Sequence, residues 1–66
     1  MRLIVNGEPH VLEDGATVIA LLTSLDLDAR RLGIERNRSI VPKSLYAETR
    51  LADGDAIEIV HFVGGG

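Results

Sequence analysis

The pair Asn6 and Gly7 constrains the fold of this 66-residue chain most strongly, because it separates two β-rich segments by two residues. Both residues tolerate the positive φ angles of a type I′ turn, which joins adjacent antiparallel strands. The pattern predicts a first strand over Arg2–Val5 and a second strand over about residues 8–13. The chain is therefore expected to begin with a β-hairpin.

An amphipathic helix is predicted directly after the hairpin. Asp14 and Gly15 break the second strand, and Thr17 is placed to cap the helix that follows. Apolar residues then recur at helical spacing, at Val18, Leu21, Leu22 and Leu25. This helix can cover one face of a small sheet.

The second half of the chain carries weaker β signals. Leu32 and Ile34 alternate with polar residues as in a half-buried strand, and a turn is predicted at residues 37–38. Residues 40–41 form a short predicted strand that Pro42 ends. The order of the elements remains compatible with a single small sheet.

Two further segments connect this region to the end of the chain. Residues 43–48 are predicted to form a helical turn with Leu45 and Tyr46 pointing inward. Asp53-Gly54-Asp55 predicts a turn at a hairpin corner, since it lacks the remaining carboxylates of a calcium-binding loop.

The strongest strand signal covers residues 57–63 and runs directly into three glycines at residues 64–66. Together the elements indicate an α+β fold, a small mixed sheet with one main helix packed on one face. The helix supplies the crossover that would let the first and last strands pair in parallel. We predict one domain over residues 1–63 and a flexible glycine tail at residues 64–66.

Period two along the last strand predicts an exposed apolar patch. If Ile57 and Ile59 face the helix, Val60 and Phe62 lie on the opposite face, where Ile4 of the first strand joins them. Such patches often mark partner surfaces, although small domains also expose single apolar residues. Ile4, Val60 and Phe62 are therefore candidate docking residues.

Composition argues against several classes of function. A net charge of −3 and two aromatic residues provide neither a basic surface nor stacking platforms, so nucleic acid is not an expected partner. The chain has no cysteine, and His10 and His61 alone cannot complete a zinc site, so no metal is expected. No apolar run is long enough to cross a membrane. We expect a cytoplasmic protein that is monomeric when free.

The glycines at residues 64–66 admit two interpretations. Chain ends are commonly frayed, and the glycines could be no more than that. However, they follow an apolar strand without a polar spacer, and they can reach roughly 10 Å when extended. Because glycine has no Cβ, a narrow channel can close around Gly64 and Gly65 and leave the Gly66 carboxylate open to attack.

Six short segments, taken in order, carry a specific resemblance. They are Val5-Asn6-Gly7-Glu8, Thr17-Val18 with Leu21-Leu22, Ile40-Val41-Pro42, Asp53-Gly54-Asp55, Ile57-Glu58-Ile59-Val60 and Val63-Gly64-Gly65-Gly66. In this order and spacing they resemble the ThiS family of ubiquitin-like sulfur carriers of thiamine biosynthesis. The resemblance covers the chain from Met1 to Gly66 and implies a β-grasp fold.

The resemblance also implies a reaction sequence on Gly66. A ThiF-type adenylyltransferase, which uses ATP and Mg²⁺, would adenylylate the Gly66 carboxylate. Sulfur from a persulfide donor enzyme would convert it to a thiocarboxylate, which a ThiG-type thiazole synthase would accept. Gly64 and Gly65 would thread into these partner enzymes, and the chain itself would bind no cofactor.

Alternatives to this function remain open. A MoaD-type carrier for molybdopterin synthesis would use the same tail chemistry, and a ubiquitin-like modifier would join the Gly66 carboxyl group to a lysine of a target. A β-grasp interaction module with an inert tail is a third possibility. An enzyme is the remotest, because no nucleophile and base pair can be nominated and no catalytic residue is assigned.

Overall fold

The computed structural model describes residues 1–62, which form a five-stranded mixed sheet with a helix on one face. The elements in chain order are β1 (Arg2–Val5), β2 (Glu8–Val11), α1 (Val18–Ser24), β3 (Leu32–Arg36), β4 (Ser39–Val41) and β5 (Ala56–His61). In space the strands run β2-β1-β5-β3-β4, with β5 parallel to β1 and antiparallel to β3. The predicted α+β arrangement and the parallel pairing of the first and last strands are confirmed.

The predicted turn between β1 and β2 is confirmed, with φ angles of 49° at Asn6 and 82° at Gly7. The Asn6 side chain also extends the pairing of β1 with β5. Its Oδ1 accepts a hydrogen bond from the Ile59 N–H at 2.7 Å, and its Nδ2 donates to the Ile59 carbonyl at 3.2 Å. The predicted extension of β2 to residue 13 is wrong, because β2 ends at Val11, although Met1 and Leu12 still exchange two backbone hydrogen bonds at 2.9 and 3.0 Å beyond it.

Helix α1 begins and ends with specific hydrogen bonds. The Thr17 side chain accepts from the backbone N–H three residues ahead at 3.2 Å, as its predicted capping role requires. At the other end, Asp26 has a φ of 57°, and the Leu27 N–H donates to the Leu22 carbonyl at 2.9 Å. This is the Schellman arrangement that commonly ends a helix.

The core lies between α1 and the inner face of the sheet. Its buried apolar residues are Leu3, Val5, Val18, Leu21, Leu22, Leu32, Ile34, Val41, Tyr46, Leu51, Ile57 and Ile59. The Tyr46 hydroxyl donates to the Leu32 carbonyl at 3.2 Å. Leu45 is 42% exposed, so its predicted inward orientation is wrong. Leu45 ends a 3₁₀ turn over Lys43–Leu45, in which consecutive side chains point about 120° apart, and the next residue, Tyr46, takes the inward direction.

The segment before β5 differs from its prediction. Asp53 and Gly54 do form a turn, but it leads from an irregular segment into β5, which runs parallel to β1. The predicted hairpin corner is therefore wrong. At its other end β5 stops at His61, although the Phe62 N–H still donates to the Arg31 carbonyl at 3.0 Å. Val63, which was predicted to end the strand, lies outside the described residues.

Candidate functional site

The outer face of the sheet, opposite α1, exposes the apolar side chains that the alternation along the last strand predicts. Ile57 and Ile59 are buried, whereas Ile4 is 43%, Val60 50% and Phe62 61% exposed. The predicted facing of the last strand is therefore confirmed. The docking role of these three residues stays a prediction.

Ile40 belongs to the same surface and was missed from the sequence. Ile40 is 78% exposed and pairs with Glu35 of β3. Glu35 lies on the same face of β3 as Gly33, which pairs with Val60 of β5. Alternation along β3 and β4 shows which residues of each strand share a face. The register between the strands is needed to place Ile40 on the same face as Val60. We call Ile4, Ile40, Val60 and Phe62 the outer-face patch.

Two carboxylates interrupt this apolar surface. Glu35 and Glu58 lie directly opposite each other in the antiparallel pairing of β3 with β5. Side chains at such positions are close neighbours, and like charges placed there are unfavourable for stability. The outer face therefore combines apolar side chains with negative charge, a combination suited to a partner that presents cations.

The Phe62 ring is held in place although it is largely exposed. A Cβ atom at Gly33 would lie 3.2 Å from the ring carbon Cζ, so the ring rests where β3 has no side chain. The Lys43 ammonium lies 5.7 Å from the ring centroid, within the range of a cation–π contact. The same ammonium donates to the Arg30 carbonyl at 2.5 Å.

A second polar cluster surrounds Asp55, at the end of the sheet where β5 begins. The carboxylate, which is 8% exposed, accepts from Arg36 Nε at 2.7 Å, Asn37 Nδ2 at 3.0 Å and the Ala52 N–H at 2.8 Å. Burial alone would raise the pKa of Asp55, but these hydrogen bonds outweigh it and hold the pKa below its ordinary value. Asp55 thus joins the turn before β5 to the turn after β3.

Neither histidine belongs to a metal site in the part of the chain that the structure describes. His10 Nε2 lies 3.3 Å from the Ser24 hydroxyl, and His61 is exposed at the end of β5. Across residues 1–62, no group of three or more His, Cys, Asp or Glu side chains is placed to hold a metal ion. The same residues include no helix with the length and apolar character needed to cross a membrane.

The predicted tail residues Gly64, Gly65 and Gly66 lie outside the described residues, as does the predicted domain boundary after residue 63. What the structure does place is the residue from which this segment continues. Phe62 follows β5 directly, at the edge of the outer-face patch. Within the described residues, the candidate site is therefore this patch.

Comparison with protein families shows to which family the chain belongs. The model described as "ThiS family" matches residues 2–66, which includes all three glycines. The chain belongs to the ThiS family. A ThiS protein named a sulfur carrier, from Bacillus subtilis, is 48% identical over 54 residues, 82% of each chain.

A solved ThiS structure shows the same fold. The crystal structure of the thiamine biosynthesis protein ThiS from Geobacter metallireducens covers 100% of both chains, with a TM-score of 0.86 and 33% sequence identity. The predicted β-grasp fold is thereby confirmed for this ThiS-family chain.

A longer relative carries a segment similar to ThiS within another protein. The thiazole synthase of Paramagnetospirillum magneticum is 50% identical over all 66 residues, and the chain spans 20% of the length of that relative. A ThiS-like segment and a thiazole synthase therefore occur together in one polypeptide.

Proposed function

We propose that this chain is the sulfur carrier of thiamine thiazole synthesis and that it carries the sulfur on the carboxyl group of Gly66. The observation that carries the proposal is the family match, which extends through the glycines to residue 66. The absence of cysteine from all 66 residues supports it, because no side-chain thiol competes for this role. The chain is then a substrate of partner enzymes and not itself a catalyst.

The chemistry requires activation of the carboxylate before sulfur can be added. A Gly66 carboxylate oxygen attacks the α-phosphorus of ATP and displaces pyrophosphate, which gives an acyl adenylate. The terminal sulfur of a donor persulfide then attacks the carbonyl carbon and AMP leaves. A second thiol cleaves the S–S bond of the resulting acyl persulfide, forms a disulfide with the donor sulfur, and releases the Gly66 thiocarboxylate.

The partner enzymes supply what this reaction needs beyond the carboxyl group. Charge on a transferring phosphoryl group is stabilised by Mg²⁺ and by positioned cations, which we assign to a ThiF-type adenylyltransferase. The carrier binds no cofactor itself in this scheme. A persulfide enzyme donates the sulfur, and a ThiG-type thiazole synthase accepts it. Gly64 and Gly65 thread into the channels of these enzymes, since backbone without side chains lets their walls approach closely.

The outer-face patch is the surface that we propose for docking. We expect Phe62→Ala to raise the KM of the adenylyltransferase for the carrier about tenfold, because exposed aromatic residues dominate many interfaces. Its stability cost should stay below about 1 kcal/mol, since the ring is already 61% exposed. Steady-state kinetics and urea denaturation measure the two effects separately.

Ile59→Ala is the matched control for this variant, because Ile59 lies on the same strand and faces the core. It should cost about 2–5 kcal/mol of folding stability and leave the KM of the folded fraction unchanged. A large stability loss for Phe62→Ala, with unchanged KM, would place Phe62 in the core and remove it from the docking surface.

Release of pyrophosphate tests the proposed function. A ThiF-type adenylyltransferase supplied with ATP and Mg²⁺ should release pyrophosphate in proportion to the carrier added. A synthetic chain of the same sequence with Gly66 as its amide is the matched control, because only the carboxylate is lost. Equal release with the acid and the amide would contradict adenylylation at Gly66.

A further inference from the structure

We propose that Gly33 is a positioning residue for the glycine segment, because it admits the Phe62 ring to the surface of β3 and so fixes where residues 63–66 begin. The inference rests on the proposed function of Gly66. According to this inference, sulfur transfer also depends on Gly33, which lies on β3 about 30 positions before the glycine segment.

The structure holds Phe62 from three directions. Its backbone N–H donates to the Arg31 carbonyl at 3.0 Å, directly before β3. Its ring carbon Cζ would lie 3.2 Å from a Cβ atom at Gly33, a separation tighter than almost all real Cβ contacts. The Lys43 ammonium faces the ring at 5.7 Å from the centroid. The ring of this largely exposed side chain thus lies on β3 at Gly33 and faces Lys43.

The conformation of Gly33 does not by itself require glycine. Gly7, Gly15 and Gly54 have positive φ angles, which other residues rarely adopt, but Gly33 does not. Glycine inside a strand lowers stability because it loses more backbone freedom on folding, and it often marks a close approach of another group. Within residues 1–62, the group that approaches Gly33 is the Phe62 ring.

The position of Phe62 limits where the reacting carboxyl group can be. Four residues lead from Phe62 to Gly66, and an extended chain of that length spans at most about 14 Å. Displacement of Phe62 therefore displaces the whole volume that Gly66 can reach. A misplacement of about 1 Å at a reacting group can lower a rate on the order of a hundredfold.

Gly33→Val tests this role, because valine suits a strand and its branched side chain occupies the place of the ring. We expect unchanged or higher stability. We expect kcat/KM of a ThiF-type adenylyltransferase for the carrier to fall by about tenfold or more. In NMR spectra, the ring-current shift of the Lys43 side-chain protons should be lost, which reports displacement of the ring without any enzyme.

Two comparisons separate a positioning role from a general effect of the substitution. In a Phe62→Ala background, Gly33→Val should change kcat/KM by less than about twofold, because residues that act through one contact are not additive. Ser39→Val adds the same side chain at an exposed position of β4 that alternates away from Ile40 and the outer-face patch, and it should leave kcat/KM unchanged. If Gly33→Val does not fold, Gly33→Ala replaces it, with an expected fall of about threefold.

The outcomes distinguish this inference from the proposed function. Full activity of Gly33→Val with the ring displaced would overturn the positioning role while adenylylation itself stands. Equal losses in the wild-type and Phe62→Ala backgrounds would overturn it as well. A wild-type carrier that is not adenylylated at all would contradict the proposed function and, with it, the inference.

Discussion

Gly65→Val is expected to lower kcat/KM for adenylylation of the carrier by about a hundredfold or more, with no change in its folding. A β-branched side chain thickens the segment and restricts its backbone, so a channel that fits glycine cannot close around it. The resulting displacement of the Gly66 carboxylate from the α-phosphorus of ATP accounts for the size of the effect. The buried apolar core is built from residues between Leu3 and Ile59, so circular dichroism and the urea midpoint should match those of the wild type.

Gly65→Ala should cause a smaller loss of kcat/KM than Gly65→Val, because it adds a single methyl group without branching. Its kcat/KM for adenylylation should lie between those of the wild type and Gly65→Val, on the order of tenfold below the wild type. Normal turnover by a well-folded Gly65→Val carrier would show that no narrow channel encloses the segment. The glycines would then need another explanation, such as an inert chain end.

Asp55→Ala is expected to lower the free energy of unfolding near neutral pH by about 3 kcal/mol. The substitution removes the acceptor for Arg36, Asn37 and the Ala52 N–H together, and leaves these donors without their partner. Such a loss is a large fraction of the stability of a small domain. Asp55→Asn, which keeps the shape and one acceptor oxygen, should cost less, about 1–2 kcal/mol.

The lowered pKa of Asp55 also predicts how this difference depends on pH. Because the folded-state pKa lies below the unfolded value, the stability that the carboxylate contributes is complete above about pH 4 and is lost as the pH falls through the folded-state pKa. The difference between the wild type and Asp55→Asn in urea denaturation should therefore shrink below about pH 4. A difference that stays constant down to the acid limit would assign Asp55 a role independent of its charge.

The sequence was most informative where one or two residues determine local geometry. Asn6 and Gly7 predicted their turn because positive φ is open to few residues, and Thr17 predicted the start of α1 because its hydroxyl caps the helix. Alternation along β5 correctly separated Ile59 from Val60. These features depend on neighbours within a few residues.

Features that depend on residues far apart in the chain could not be predicted in the same way. The contact of the Phe62 ring with Gly33 requires the register of β3 with β5. The side-chain partners of Asp55, Arg36 and Asn37, lie 19 and 18 residues earlier in the chain. The exposure of Leu45 was likewise decided by Tyr46, which occupies the core beside it. The proposed modification of Gly66 could not be predicted from the fold, because it would depend on partner enzymes.

Accurate mass of the intact protein purified from its own cells tests the central claim most directly. The account predicts a chain that ends at Gly66, with a fraction heavier by the mass difference between sulfur and oxygen. Fragmentation should place that difference on the last residue, and alkylation of the thiocarboxylate should shift the same fraction. A chain that continues beyond residue 66, or a Gly66 carboxyl group found in isopeptide bonds to lysines of other proteins, would contradict the sulfur carrier account.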